Sequence, residues 1–252
     1  MFICKADERK EKMRWSGTGF VLGFKKYNES SYILDAFTED HGRHKGLIRG
    51  IHSKNLRAVI EPGNEVMLNW SGRLESHLGN YTVEPIKLWS SYILNRKVNL
   101  HGINSICSII ISTMAEKQQN AFMYEKSLSL IKDICKNKED WIKSYIFWEI
   151  DLLSDIGYGL DLTECAVTSE KENLKFVSPS SGRAVTIEGA GSYKDKLFKL
   201  PNFLINRSSE YRNEDLENAL SLTEHFFRKR FYEPNNLNFP KSRNHLKISI
   251  IK

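Results

Sequence analysis

The chain has little thiol to organise it. Its four cysteines, Cys4, Cys107, Cys135 and Cys165, stand far apart in 252 residues, with no CxxC spacing anywhere. A disulfide framework or a four-thiolate metal knuckle needs closely spaced pairs. The thiols therefore read as reduced, three of them buried, in a cytoplasmic chain. No apolar run approaches the ~18–20 residues that a membrane helix needs. The N-terminus, MFICKADERKEK, turns charged after four residues, unlike a secretory signal. Residues 1–12 precede a second methionine, Met13, and are expected to be a disordered extension or to reflect a start assigned too far upstream. No internal repeat is present.

Catalytic signatures are missing as well. There is no GxSxG elbow and no HExxH. GTGFVLG (Gly17–Gly23) has GxGxxxG spacing with no strand leading through it into a helix N-terminus, so its glycines read as barrel bends. Gly189-Ala190-Gly191-Ser192 lacks the lysine of a phosphate loop. The seven histidines are scattered, and His41, His44 and His52 sit among cations that oppose a metal. Glu39-Asp40, Glu139-Asp140 and Glu214-Asp215 fall at turns or helix starts, where acids complement the helix dipole. Nuclease chemistry would need converging carboxylates around Mg²⁺. The expectation is a chain that is not an enzyme and carries no cofactor.

A sequence that is 40 % hydrophobic can bury a real core, and its formal charge of +6 with pI near 9.0 favours an anionic partner. From Trp15 to Leu88, short alternating segments broken by turns predict strands: Gly17–Tyr27, Ser30–Thr38, RHKGLIRG from Arg43, Glu65–Arg73 and Asn80–Leu88. Five strands in so short a span fit a closed or nearly closed barrel of the OB type. Beyond Trp89 the period becomes helical, over Asn99–Lys117, Ala121–Lys136, the segment ending at Gly157, and Leu216–Tyr232. The expected fold is α+β in two domains. An OB-fold occupies 13–88, a mainly helical domain 89–232 with an irregular insertion at 160–209, and a loosely packed tail 233–252. The insertion is expected to hold at most a short hairpin around Phe176-Val177 and Ala184-Val185.

The functional weight falls on His41–Ile60, HGRHKGLIRGIHSKNLRAVI, which holds no acidic residue. Arg43, Lys45, Arg49, Lys54 and Arg57 are the candidate phosphate contacts, joined by Lys25, Lys26 and Arg73. Such cations release counterions from a nucleic acid and give salt-sensitive binding without sequence choice. Phe24, Tyr27, Tyr32, Trp70 and Tyr81 are available either to stack bases or to fill the barrel, and core filling is the stronger expectation for Trp70. A second cluster, Arg228-Lys229-Arg230 beside Phe226, Phe227, Phe231 and Tyr232, could seat an acidic, apolar peptide end. Its candidates are Phe227, Arg228 and Arg230.

The ordered run from Trp15 to Gly50, then Ile60-Glu61-Pro62-Gly63-Asn64 and LGNYTVE (Leu78–Glu84), closely resembles the bacterial recombination-mediator family RecO. IGYGLDLTECAVT (Ile156–Thr168), FVSPSSGRAV (Phe176–Val185) and KLPNFL (Lys199–Leu204) are similar to its alphaproteobacterial branch. The likeness runs from Met13 to about Phe239. It implies an OB-fold and a helical domain, and a role in DNA repair and recombination. The implied activities are binding single- and double-stranded DNA, annealing complementary strands and helping to load RecA on strands coated by single-stranded-DNA-binding protein (SSB). RecR and the SSB tail are the implied partners, in a cytoplasmic, nucleoid-associated setting. The alternative is an interaction scaffold that docks SSB or RecR through its helical domain. Many members of the family carry a four-cysteine zinc module in the insertion. Here Cys165 stands alone with Thr168 at the second position, so no zinc is expected, and Phe176, Val177, Val185 and Leu197 should hold the insertion by packing.

Overall fold

The computed structural model describes residues 13–50, 54–74 and 76–251. The extension expected over residues 1–12 lies outside them. The chain forms two compact units. One runs to Tyr92 and takes in Met114–Glu125, and the other comprises Ile93–Thr113 and the chain from Lys126 onward.

In the first unit, β1 (Met13–Lys26), β2 (Ser31–Thr38), β3 (Gly42–Arg49), β4 (Glu65–Gly72) and β5 (Asn80–Lys87) close in the order β1-β2-β3-β5-β4. Neighbours are antiparallel except β3 and β5, whose parallel pairing rests on Leu47 opposite Asn80. Long β1 serves two partners, pairing with β4 through its first half and β2 through its second. The register slips between Val21 and Gly23, and a bulge of that kind bends a strand enough to turn a barrel corner. Alternation in β4 sends Val66, Leu68 and Trp70 inward to meet Leu34, Ala36, Ile48 and Tyr81.

The stretch between β3 and β4, expected to be an open loop, contains a helix, α1 (Lys54–Val59). Its apolar Leu56, Val59 and the following Ile60 pack on the barrel core, which is why it folds back rather than standing free. Residues 114–117, expected to continue a helix, instead lie against β3. Lys117 N–H donates to the Arg43 carbonyl at 2.7 Å, and Tyr124 sets its ring against Phe20 and Phe37. The approach is so close at Gly42, with φ of 61°, that a Cβ there would fall 1.9 Å from the Gln118 carbonyl oxygen.

The second unit is built on α2 (Lys97–Thr113), α3 (Ala121–Cys135, whose first residues count with the barrel), α4 (Trp141–Asp155) and α6 (Asn213–Phe226). Their apolar stripes bury Ile103, Ile106 and Ile110, then Ile131 and Ile134, then Tyr145, Trp148 and Leu152, then Leu220 and Phe226. Gly157, at φ of 87°, stops α4, and the N–H of Tyr158 returns to the Leu153 carbonyl at 2.7 Å. The insertion is more ordered than expected. β6 (Leu174–Val177), β7 (Ala184–Thr186) and β8 (Phe198–Lys199) form a sheet in the order β7-β6-β8, with α5 (Ile187–Ala190) after β7. Phe176, Val177 and Val185 are buried in it, and Leu197 is half-buried.

The tail expected to be loose is a helix, α7 (Lys241–Ile251), packed on α2. It lacks a strong apolar stripe, and polar contacts hold it instead. Arg243 is fully buried and forks onto Glu149 of α4, Nε to Oε1 at 2.5 Å and Nη2 to Oε2 at 2.9 Å. The hydroxyls of Tyr145 and Thr223 donate to the same carboxylate at 2.8 and 2.6 Å. Lys247 reaches Glu224 at 3.0 Å, and Ser242 bonds Ser108. Removing one partner strands a buried charge, which costs roughly 3–5 kcal/mol. Arg243→Ala should therefore lower the urea midpoint of the second unit by a corresponding amount. A loss under about 1 kcal/mol would show that water reaches Glu149 readily.

Candidate nucleic-acid interface

Pairing registers place an outward row of residues around the barrel. Lys25 lies opposite Ile33, Ile33 opposite Leu47, Leu47 opposite Asn80, Asn80 opposite Ser71, and Ser71 opposite Arg14. Side chains alternate faces along a strand, so Arg49, two residues beyond Leu47 on β3, points the same way, while Arg73 follows the end of β4 in a bend. Between β3 and β5 the strands part beyond their single pair and leave a groove of about 530 Å³, lined by Leu47, Ile48, Arg49, Leu56, Ser71, Asn80, Tyr81, Thr82 and Val83. Arg14, Lys25, Lys26, Arg49, Arg57 and Arg73 are all exposed. Among the described residues none of these six forms an ion pair with a carboxylate. The side chain of Lys54 and all of His52 lie outside the described residues. Arg14 was not among the sequence candidates. Its place beside Ser71 comes from a register between strands more than fifty residues apart, which no local pattern reveals.

Arg43 and Lys45 are elsewhere. Arg43 is 8 % exposed and bidentate to Asp35, Nη2 to Oδ2 at 2.7 Å, with Nη1 on the Met114 carbonyl at 3.2 Å. Lys45 bonds Glu116 and lies 3.9 Å from Asp35. The acids absent from the basic stretch itself are supplied by β2 and by the segment after α2. Burial works against the charge on Glu116. The hydrogen bond and field of Lys45, with Arg43 and Lys117 behind it, outweigh that and hold its carboxyl below the usual range.

The aromatic candidates divide too. Trp70 and Tyr81 are buried in the core, and Trp70 Nε1 donates to the Leu78 carbonyl at 3.0 Å. Phe24 and Tyr32 are half-buried and edge-on at 6.1 Å, leaving Tyr27, in the turn after β1, as the exposed one. Trp15 stacks on His41 at 4.0 Å. His44 is buried with its Nδ1 2.7 Å from the Tyr81 hydroxyl. Burial first, then the charges of Lys117 and His41, push the imidazole down to about 4.

In the second unit, α6 passes into a wide π turn, Phe227–Tyr232, closed by the Glu233 N–H on the Arg228 carbonyl at 2.8 Å. Phe227 is fully buried there. Arg228 bonds Glu224 at 2.8 Å and lies over Phe239, while Arg230 donates to the Ser180 carbonyl at 2.9 Å and lies over Phe226. The apolar member of that proposed peptide seat is thus core. Its cations are already engaged within the unit.

The sequence matches the family described as Recombination protein O N terminal over residues 13–89 and Recombination protein O C terminal over residues 98–236. The chain belongs to the RecO family. A RecO described as a DNA repair protein, from Chelativorans sp. (strain BNC1), is 39 % identical over 92 % of this chain and 93 % of its own. Another from Cereibacter sphaeroides (strain ATCC 17029 / ATH 2.4.9) is 37 % identical over 85 % of this chain and 88 % of its own. RecO membership places the chain in DNA repair and recombination. Among the described residues no helix is long and apolar enough to cross a membrane.

Two tests follow for the RecO barrel. Arg43→Ala should destabilise it by roughly 3–5 kcal/mol through a stranded Asp35, whereas Arg49→Ala should leave its melting unchanged. Equal melting of both variants would put Arg43 on the surface. For His44, the folded value of about 4 lies below the ordinary 6.5. The unfolded chain then takes up the proton first as pH falls. Barrel stability should hold above about pH 6.5 and drop between 6.5 and 4. Urea titrations at several pH values should show this slope in the natural chain and a flatter one in His44→Gln.

Proposed function

We infer that the chain is a recombination mediator that handles DNA without covalent catalysis. On this reading the barrel, of the OB type, binds single- and double-stranded DNA through its phosphates. It anneals complementary strands and helps to load RecA on SSB-coated DNA, in the cytoplasm at the nucleoid. The observation that carries the reading is the set of exposed cations, without carboxylate partners among the described residues, on the outward side of the barrel: Arg49 lines the seam groove, Arg14 lies across from its Ser71, and Lys25, Lys26, Arg57 and Arg73 are further along the surface. A groove floored by Ser71, Asn80 and Thr82 next to guanidinium groups suits a sugar-phosphate chain. Exposed aromatics are few, so bases contribute little and sequence choice is weak.

RecR and the acidic tail of SSB remain the proposed protein partners. The buried state of Phe227 argues against the π turn as the seat for that tail. A scaffold reading centred on the turn loses its apolar anchor.

Labelled complementary oligonucleotides should anneal faster with the protein present, without ATP, and the effect should fade as salt rises. Arg14→Ala with Arg49→Ala should weaken binding most at low salt. The slope of log affinity against log salt should flatten by about one to two units, at ~0.9 for each phosphate no longer neutralised. An unchanged slope in a folded double variant would move the interface off the groove. Mg²⁺-dependent strand cleavage would overturn the non-enzymatic reading.

A further inference from the structure

The insertion holds two stretches with the spacing of a metal knuckle, Cys165-Ala166-Val167-Thr168 and Thr186-Ile187-Glu188-Gly189. They are 21 residues apart from Cys165 to Thr186, yet they meet at one sulfur. Cys165 Sγ accepts the backbone N–H of Thr168 at 3.4 Å and that of Thr186 at 3.3 Å. It lies 3.5 Å from Thr186 Oγ1. A Cβ built at Gly189 would stand 3.0 Å from the same sulfur and 3.2 Å from Thr186 Oγ1. The hydroxyl of Thr168 is buried and faces the same sulfur.

The 3.5 Å between the Cys165 sulfur and the Thr186 oxygen is close to what a tetrahedral thiolate site requires. With Zn–S bonds of ~2.3 Å, adjacent sulfurs of a four-cysteine site lie roughly 3.8 Å apart. Amide hydrogens directed at the sulfur are also what such a turn offers to a metal-bound thiolate. The donor set nevertheless does not fit zinc. It comprises one thiol, two neutral hydroxyls and a glycine without a side chain, whereas a closed structural site takes four ligands from thiolate, imidazole and carboxylate. Among the described residues no three such side chains gather elsewhere.

We propose that Cys165, Thr168, Thr186 and Gly189 are the four vertices of a metal-thiolate scaffold in which three ligands have been replaced. The two turns are now joined through the Cys165 sulfur by its amide hydrogen bonds. The surrounding backbone supports the clamp: Cys165 N–H donates to the Glu170 carbonyl at 2.7 Å and Ala166 N–H to the Ala184 carbonyl at 2.8 Å. Thr186 contributes twice, since its hydroxyl also accepts the Gly189 N–H at 3.0 Å as the cap of α5. Thr168 and Thr186 already carry a Cβ and Gly189 does not have a positive φ, so the three restoring changes ask for no new backbone conformation, although the neighbours of a Cβ at 189 must give by a few tenths of an ångström.

The test compares the full natural chain with Thr168→Cys/Thr186→Cys/Gly189→Cys. The natural chain should contain no stoichiometric zinc by elemental analysis, and its melting should not respond to EDTA. The triple variant, purified with zinc, should hold one zinc per chain, melt earlier when EDTA is added, and with cobalt show the visible bands of a tetrahedral thiolate site. A folded triple variant without zinc would overturn the proposal, and so would one zinc per natural chain. Cys165→Ser supplies a second reading if the triple variant fails to fold. Hydrogen exchange at the Thr168 and Thr186 amides should quicken at least tenfold, and unchanged exchange would remove the sulfur from the clamp.

Discussion

Parallel β3 and β5 meet at one residue pair, Leu47 and Asn80, and the barrel unit is arranged around the gap that this leaves. A five-stranded barrel closed by so short a ladder needs help on both sides of the contact. Below it, toward the start of β3, Glu116 and Lys117 bridge to Arg43 and occupy the strand edge. Beyond it, Leu56 of α1 covers the apolar floor while Arg49, Asn80 and Thr82 keep the groove polar. One edge is thus sealed by protein and the other stays open as the groove. The same constraint explains why Gly42 must be glycine, since the sealing segment leaves no room for a side chain.

Arginine is used in two opposite ways. Arg43 and Arg243 are buried, each forked onto a carboxylate; Arg243 thereby joins segments 94 residues apart, and Arg43 reaches the Met114 carbonyl 71 residues on. Arg14, Arg49 and Arg73 stay in water, Arg49 beside a polar groove. Guanidinium suits both duties because its planar donors match a carboxylate or a phosphate equally well. Which duty a given arginine takes depends on whether an acid faces it across the ladder. Asp35 faces the β3 row that holds Arg43 and Lys45, whereas Ser31 faces Arg49.

That distinction marks the limit of what the sequence discloses. The strands and the main helices were legible because alternation and helical spacing are local, and Trp70 fell inside the barrel as its alternation with Val66 and Leu68 required. The basic stretch looked uncompensated because its acids, Asp35 and Glu116, come from outside it, the second 71 residues after Lys45. Arg14 joined the candidate interface only through strand register. Helix α7 went unseen because its hold on the unit is one buried ion pair and a few hydroxyls, which leave no apolar period. The convergence of Thr186 and Gly189 on Cys165 was hidden for a similar reason: threonine and glycine carry no sign of a metal knuckle unless the fold brings them to a thiol.

The Arg243–Glu149 pair also orders events in time. Glu149 lies on α4 with no exposed surface, and its counter-charge arrives 94 residues later. A ribosome emits the chain in order, and domains generally fold as units while it does so. Until Arg243 emerges, the second unit would have to bury an unmatched carboxylate or leave its core open to water. The barrel waits only for the segment ending near Glu125. The barrel unit is therefore complete while the helical unit is still being made, and α7 closes the latter.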